Sequence, residues 1–317
     1  MTRTERLSRR AFVTGLTGFT GRYMAQRLEA AGYEVWGTVA PGAPRPDDPA
    51  LARCTLLPVD LLDAQALRAA AADARPDAVV HLAARAHVTQ DDPALTYQVN
   101  IAGTRNLLAA LAGLDRRPSA VLLASSANVY GNSTPGVLDE SVVPAPANDY
   151  AVSKLAMEYA ARLWSDRLPI VIARPFNYTG VGQSEAYLLP KLAAHYARNE
   201  SRISLGNLDV SRDFSDVRDV TAAYLRLIEA APAGETFNVC AERAYSLKEV
   251  LAMLSRIAGY VIDVKVDPRF VRHNEVKSLS GSRDKLRRVV GELPVTPLDE
   301  TLRWMVDAMR VTPVVHA

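Results

Sequence analysis

Tyr150 and Lys154 stand four residues apart in a Tyr-x-x-x-Lys pattern. On a helix this spacing places both side chains on one face. A tyrosine phenol ordinarily titrates near 10. Exchanging protons near neutral pH requires a shift of roughly three units, about 4 kcal/mol of differential stabilisation of the phenolate. The Lys154 ammonium is one source of that stabilisation. Ser126, just past the apolar run Ala120–Ser125, is the expected partner donor to a reacting oxygen. The three residues together suit proton transfer at a carbonyl or alcohol.

A second pattern is Thr14-Gly15-Leu16-Thr17-Gly18-Phe19-Thr20-Gly21, between an apolar run and a helical stretch. Glycines in this setting allow a tight turn and close approach of backbone to a pyrophosphate, whose charge a helix N-terminus stabilises. The spacing is G-x-x-G-x-x-G rather than G-x-G-x-x-G. It predicts a nicotinamide dinucleotide, NAD or NADP, held by Gly15, Thr17, Gly18, Phe19, Thr20 and Gly21. The positive ring of the oxidised cofactor would add to Lys154 in stabilising a Tyr150 phenolate. Asp60 and Leu61, after the third strand, and Leu82, Ala83 and Ala84, after the fourth, are further expected contacts. Tyr150 and Lys154 complete the cofactor set. The second strand, Glu34–Val39, ends with neither an acid for the ribose hydroxyls nor a base. Arg45 is available to a 2′-phosphate or to solvent, so the choice between NAD and NADP stays open. His81 is expected to pack in its strand and to carry no chemistry.

The elements that must position these residues alternate along the first half of the chain. Strands are predicted at Ala11–Thr14, Glu34–Val39, Thr55–Pro58, Ala78–His81, Ala120–Ser125 and Ile170–Ala173. Helices are predicted at Thr20–Ala31, Ala64–Ala74, Pro93–Ala112 and Tyr150–Leu168. Near-continuous apolar strands separated by helices predict an α/β, Rossmann-like, doubly wound parallel sheet. After Pro175 the pattern changes. A loop at Asn177–Gln183 leads to a helix at Tyr187–Arg198, then strands near Ile203–Leu205 and Ser211–Phe214. Thr236–Cys240 reads as a strand returning to the main sheet. Ser246–Gly259, Val261–Val266 and Leu298–Met309 read as helix, strand and helix. The expected organisation is a dinucleotide unit of 1–176 and 213–243, interleaved with a smaller α/β substrate unit of 177–212 and 244–317.

The chain of 317 residues is 49% hydrophobic and 23% charged, with net charge +2. That charge is too small for the basic field of a nucleic-acid binder. Cys54 and Cys240 form no disulfide framework and sit in no metal-ligand spacing, so no metal is expected. The charged N-terminus lacks a signal-peptide pattern, and no apolar run approaches a membrane span. A cytoplasmic enzyme without a membrane partner is the expectation.

At these motifs the chain resembles the extended short-chain dehydrogenase/reductase family, the sugar-nucleotide epimerases, dehydratases and reductases. The likeness covers nearly the whole chain. It rests on Thr14–Gly21, Ser125–Gly131, Tyr150–Lys154 and Arg174-Pro175-Phe176-Asn177. Leu189-Pro190-Lys191, Gly206–Phe214 and Asp267–Val276 look most like the branch acting on GDP-sugars. The resemblance implies substrate contacts at Ser126, Asn177, Leu189, Lys191, Arg212, Arg272 and Glu275. Arg212 and Arg272 would clamp the diphosphate with charge-assisted hydrogen bonds, while Asn177 and Lys191 add donors and Glu275 accepts from ribose hydroxyls. It also implies that Asn100 is structural near the cofactor, and that the protein is a homodimer through a helix pair including the Tyr-Lys helix.

One departure separates the reaction types. Where dehydratases of this family carry a threonine and an acidic pair, or Ser-Glu, this chain has Ser126-Ala127-Asn128. The family glutamate removes the proton beside the keto group, and Asn128 cannot accept one. The pattern resembles the 4-keto reductases, which deliver hydride from NAD(P)H to a GDP-4-keto-6-deoxy sugar, as in GDP-D-rhamnose formation. The alternatives are a 4-epimerase with tightly bound NAD, a GDP-mannose 4,6-dehydratase, and a dinucleotide sensor of the same fold.

Overall fold

The computed structural model describes residues 9–44, 47–86, 92–132, 134, 136–270 and 278–311. Arg45, Arg272 and Glu275 lie outside the described residues. The first half runs β1 (Arg9–Thr14), α1 (Phe19–Ala30), β2 (Tyr33–Val39), β3 (Thr55–Pro58), α2 (Ala64–Ala74) and β4 (Ala78–His81). An unbroken helical stretch follows: α3 (Pro93–Tyr97), a π-helical segment (Gln98–Gly103) and α4 (Thr104–Ala112). Then come β5 (Ala120–Ala124), the short β6 (Val137–Leu138), α5 (Asp149–Arg162) and β7 (Ile170–Pro175).

These strands except β6, with one from the second half, form a seven-stranded parallel sheet, as the alternation predicts. The second half continues with β8 (Asn177–Thr179), α6 (Leu188–Ala197), β9 (Arg202–Leu205), β10 (Ser211–Asp216), α7 (Val217–Ala230), β11 (Thr236–Val239) and β12 (Ala244–Ser246). It ends with α8 (Leu247–Ala258), β13 (Asp263–Val266), β14 (Ser278–Gly281), α9 (Asp284–Val290) and α10 (Leu298–Val311). The main sheet has the order β11-β7-β5-β4-β1-β2-β3. The chain order reverses between β1 and β4, where Thr14 lies in register with His81. A ligand crevice belongs outside the strand ends at such a switch point.

Both faces of the sheet are covered. Val13, Val80 and Leu122 meet Met24, Leu28, Tyr224 and Leu227 of α1 and α7 on one side. Phe12, Val79 and Leu123 meet Leu67, Leu107, Leu111 and Met157 of α2, α4 and α5 on the other. A second sheet, β12-β10-β14-β6 with β8 beside β10, lies among helices whose own core includes Leu192, Tyr196, Leu254, Leu302 and Met305. No helix among the described residues is long and apolar enough to cross a membrane.

Two local expectations are corrected, and one helix was not expected. The helix predicted to reach Leu168 ends at Arg162, where Ser165 Oγ donates to the Arg162 carbonyl and Pro169 disfavours helix at Leu168. The predicted loop Asn177–Gln183 begins as β8, pairing with β10 from Asn177 opposite Phe214. Helix α7 has no counterpart in the sequence reading. Its signal is the Asp216 N-cap, which accepts from Arg218 N, followed by buried Val217, Val220, Tyr224 and Leu227.

One buried polar chain crosses these elements. Arg174 on β7 grips Glu158 on α5 with Nε–Oε1 at 2.9 Å and Nη2–Oε2 at 2.6 Å. Ser125, at the end of β5, donates to the same Glu158 Oε1 at 2.5 Å. Arg174 Nη1 donates to the Tyr130 hydroxyl, which donates to Asn238 Oδ1 on β11. Removing one partner of a buried pair leaves the other charge uncompensated, at a cost of about 3–5 kcal/mol. Arg174→Met is therefore expected to lower the unfolding free energy in urea by about that amount. A loss under about 1 kcal/mol, the range of a surface pair, contradicts this role.

Candidate active site

The glycine turn is built for close backbone contact. Gly15 has φ +71°, and a Cβ there would lie 2.9 Å from the Ala83 Cα and N. A Cβ on Gly21 would lie 2.4 Å from the Gly15 and Leu16 carbonyl oxygens, so the glycine lets α1 pack down on the turn. Gly18 is the N-cap of α1, and no side chain caps that first turn. Helix N-terminal amides with no capping side chain present donors and a partial positive charge to an anion. The turn, the uncapped helix and the adjoining small residues Ala83 and Ala84 fit a dinucleotide pyrophosphate.

Other expected cofactor contacts are arranged around this turn. Thr17 and Phe19 are half-buried, and the Phe19 ring stacks on Tyr178 with centroids 6.1 Å apart. Thr20 Oγ1 hydrogen-bonds the Tyr178 hydroxyl at 2.8 Å. Asp60 is exposed, and its Oδ1 accepts from Leu62 N, whereas the Leu61 side chain is buried in the core beneath Gly103. Leu82 is half-buried, and its N–H donates to the Thr14 carbonyl. His81 is buried between Thr14 Oγ1 at 2.6 Å and Thr104 Oγ1 at 2.8 Å. Burial, with Lys154 nearby, pushes its imidazole down to about 3, so a neutral packed histidine results.

Ser126 and Tyr150 come together as hydrogen-bond partners. Ser126 caps a 3-10 turn, Ala127–Tyr130, and its Oγ accepts from Asn128 N at 3.2 Å and Asn128 Nδ2 at 3.1 Å. With both acceptor positions used, the Ser126 proton is directed outward, toward Tyr150 or a bound oxygen. Asn148 caps α5 by accepting from Ala151 N, which starts the helix one turn before Lys154. Lys154 is buried, and Nζ donates to the Ala124 carbonyl at 2.7 Å. Burial pushes its ammonium down to about 8, opposed by the Glu158 carboxylate one turn further on. Burial also pushes the Tyr150 phenol above its usual range, opposed by the Ser126 hydrogen bond, with Tyr178 and Tyr187 adding to the rise.

Asn100 sits in the π-helical segment and ties the cleft together. Its amide donates to Ser153 Oγ on α5 and to the Arg85 carbonyl, and its Oδ1 accepts from Arg85 N. The remaining predicted residues lie on the second-half elements. Asn177 is exposed on β8, and Arg212 is two residues before its register partner Phe214 on β10. Lys191 Nζ donates to the Ser204 carbonyl, and the Leu189 side chain is buried in the core, leaving its backbone at the start of α6. Sequence reasoning passed over Tyr178, Glu158 and Tyr224. Tyr178 directly follows Asn177, and Glu158 continues the i, i+4 stripe from Tyr150 and Lys154. Tyr224, a buried phenol near Tyr150 and Tyr178, carried no sequence signal of its own.

The same architecture occurs in known proteins. A sequence profile of the NAD dependent epimerase/dehydratase family matches residues 11–240. GDP-6-deoxy-D-mannose reductase of Pseudomonas aeruginosa is 35% identical over 312 residues, covering 94% of this chain and 96% of that protein. A crystal structure of a Burkholderia cenocepacia J2315 protein, provisionally termed an epimerase, is 87% identical with TM-score 0.93, covering 97% of this chain and 100% of that one. The structure of RMD from Pseudomonas aeruginosa complexed with NADPH is 34% identical with TM-score 0.80, covering 96% and 98%. The chain belongs to the NAD dependent epimerase/dehydratase family, within the extended short-chain dehydrogenase/reductases, and is an enzyme that works with a nicotinamide dinucleotide.

Proposed function

We propose that this enzyme reduces the 4-keto group of a GDP-4-keto-6-deoxy sugar, giving a GDP-6-deoxy-hexose such as GDP-D-rhamnose. The observation that carries this reading is Asn128. Its amide donates to Ser126 Oγ, at the place where the family's dehydratases carry a proton-abstracting acid. The residue holds the catalytic serine and has no basic group with which to start water elimination. The similarity to a GDP-6-deoxy-D-mannose reductase over nearly the full chain supports the same substrate class. NADPH in a 34% identical structure, and the lack of an acid at the end of β2, favour NADPH over NADH.

In this mechanism the bound, reduced nicotinamide supplies the hydride. Ser126 polarises the carbonyl oxygen with its outward proton, and Tyr150 gives that oxygen its proton as the alcohol forms. Burial keeps the Tyr150 phenol protonated in the free protein, the state that a reductase requires at the outset. Lys154, whose Nζ donates to the Ala124 carbonyl in the free protein, would hold the nicotinamide ribose hydroxyls when the cofactor is bound. Residues 1–176 and 213–243 are assigned to the dinucleotide, and 177–212 and 244–317 to the sugar nucleotide, with β10 straddling the boundary. Asn177, Lys191, Arg212, Arg272, Glu275 and the Leu189 backbone are assigned to the substrate. Val152 and Tyr159 on α5 and Leu163 just past its end are exposed and are assigned to a homodimer contact.

A 4-epimerase is the second reading, favoured by the provisional description of the 87% identical structure. An assay with GDP-4-keto-6-deoxy-mannose separates the two. Reduction consumes one reduced cofactor per product, whereas a 4-epimerase leaves that ketone unreduced in turnover and instead inverts a GDP-sugar carrying a carbon 4 hydroxyl without net cofactor consumption. Tyr150→Phe is expected to lower kcat by about 10²–10⁴-fold, and unchanged activity would overturn the assigned proton donor.

Lys154 generates a prediction on the free protein. Its folded-state pKa of about 8 lies below the ordinary 10.5. Between those values the unfolded chain binds more protons, so this group makes stability rise with pH. Urea unfolding of the wild type and Lys154→Met, compared across that window, should show the wild type gaining stability relative to the variant. Parallel pH curves would contradict a buried ammonium.

A further inference from the structure

Arg85 follows β4 by four residues, and its side chain takes no part in the contacts described above. Asn100 holds its backbone at both ends, accepting from its N–H at 2.9 Å and donating to its carbonyl at 3.2 Å. The same amide donates to Ser153, between Tyr150 and Lys154 on the catalytic helix. Ala83, two residues earlier and so within about 7 Å along the chain, abuts the glycine turn at Gly15. The Arg85 backbone is therefore fixed between the glycine turn and the Tyr-Lys helix.

The side chain is half-buried, and its Nε is enclosed without a hydrogen-bond partner. No carboxylate pairs with its guanidinium among the described residues. A buried donor left unmade costs about 1–3 kcal/mol, and arginine's planar fork suits two oxygens of a phosphate. A half-buried cation on the loop beside the glycine turn, with a donor unused in the free protein, is matched to an anion that arrives with a ligand.

We infer that Arg85 binds a phosphate oxygen of the dinucleotide's pyrophosphate, across from the uncapped N-terminus of α1. Arg85 thereby adds a full charge to the partial positive charge and backbone donors of the helix N-terminus and glycine turn. The inference rests on the family's cofactor and not on which sugar is reduced.

Titration of the purified protein with NADPH, followed by calorimetry, tests it, with GDP as a separate titrant. A charge-assisted hydrogen bond is worth a factor of about ten to a hundred in affinity. Arg85→Gln should raise the Kd for NADPH by that factor, leave the Kd for GDP within about twofold, and not lower Tm. Arg85→Lys should recover part of the affinity, because a point charge remains without the fork. An NADPH Kd unchanged in Arg85→Gln overturns the inference. So does a loss confined to GDP, which would place Arg85 on the sugar nucleotide, or a lowered Tm with unchanged NADPH affinity, which would make it structural. Failure of the reductase reading looks different: NADPH binds, yet no reduced cofactor is consumed.

Discussion

Glu158 and Arg174 place two full charges in the interior, where each would be costly alone. Their two parallel contacts, with Ser125, Tyr130 and Asn238 added, satisfy the pair and join three strand ends to one helix. The consequence is positional. Ser125 precedes Ser126, and Glu158 is one helical turn past Lys154, so the pair fixes the serine strand end against the Tyr-Lys helix. An apolar pair of the same volume could hold the layers together. It would not specify which turn of α5 faces the end of β5, because apolar contacts are non-directional.

Around that fixed register, the cleft relies on small groups and directed donors. Gly15 and Gly21 bring backbone close to backbone at the switch between β1 and β4. Asn100 links the loop after β4 to Ser153, and Asn128 fills both acceptor positions of Ser126. Each contact removes a freedom that would misplace a proton by an ångström, and positional error of that size is costly in catalysis. On the proposed reading, Asn128 also sets the reaction type. An acid at that position would accept a proton, whereas the amide only orients the hydroxyl next to it.

The parallel sheet was legible because its strands are apolar on both faces and its helices fall between them at regular intervals. Thr14–Gly21, Tyr150 and Lys154 were legible because their chemistry depends on local spacing. Helix α7 escaped notice because its first turn is charged, Asp216-Val217-Arg218-Asp219, and the apolar stripe emerges only over three further turns. The early end of α5 is set by Ser165 and Pro169 rather than by helix propensity, which favours continuation. Glu158, Tyr178 and Arg85 were not legible as site residues for a common reason. Each gains its role from partners distant in sequence, such as Arg174 for Glu158, Thr20 for Tyr178 and Asn100 for Arg85.

The central claim is that Ser126, Tyr150 and Lys154 serve a net ketone reduction, with Asn128 excluding dehydration. Isotope transfer tests this most directly. Reduced cofactor carrying deuterium at its transferring position, incubated with GDP-4-keto-6-deoxy-mannose, should yield a 6-deoxy sugar with one deuterium on carbon 4 for each cofactor oxidised. Product without deuterium, or converted sugar with the reduced cofactor pool unchanged, would contradict the account.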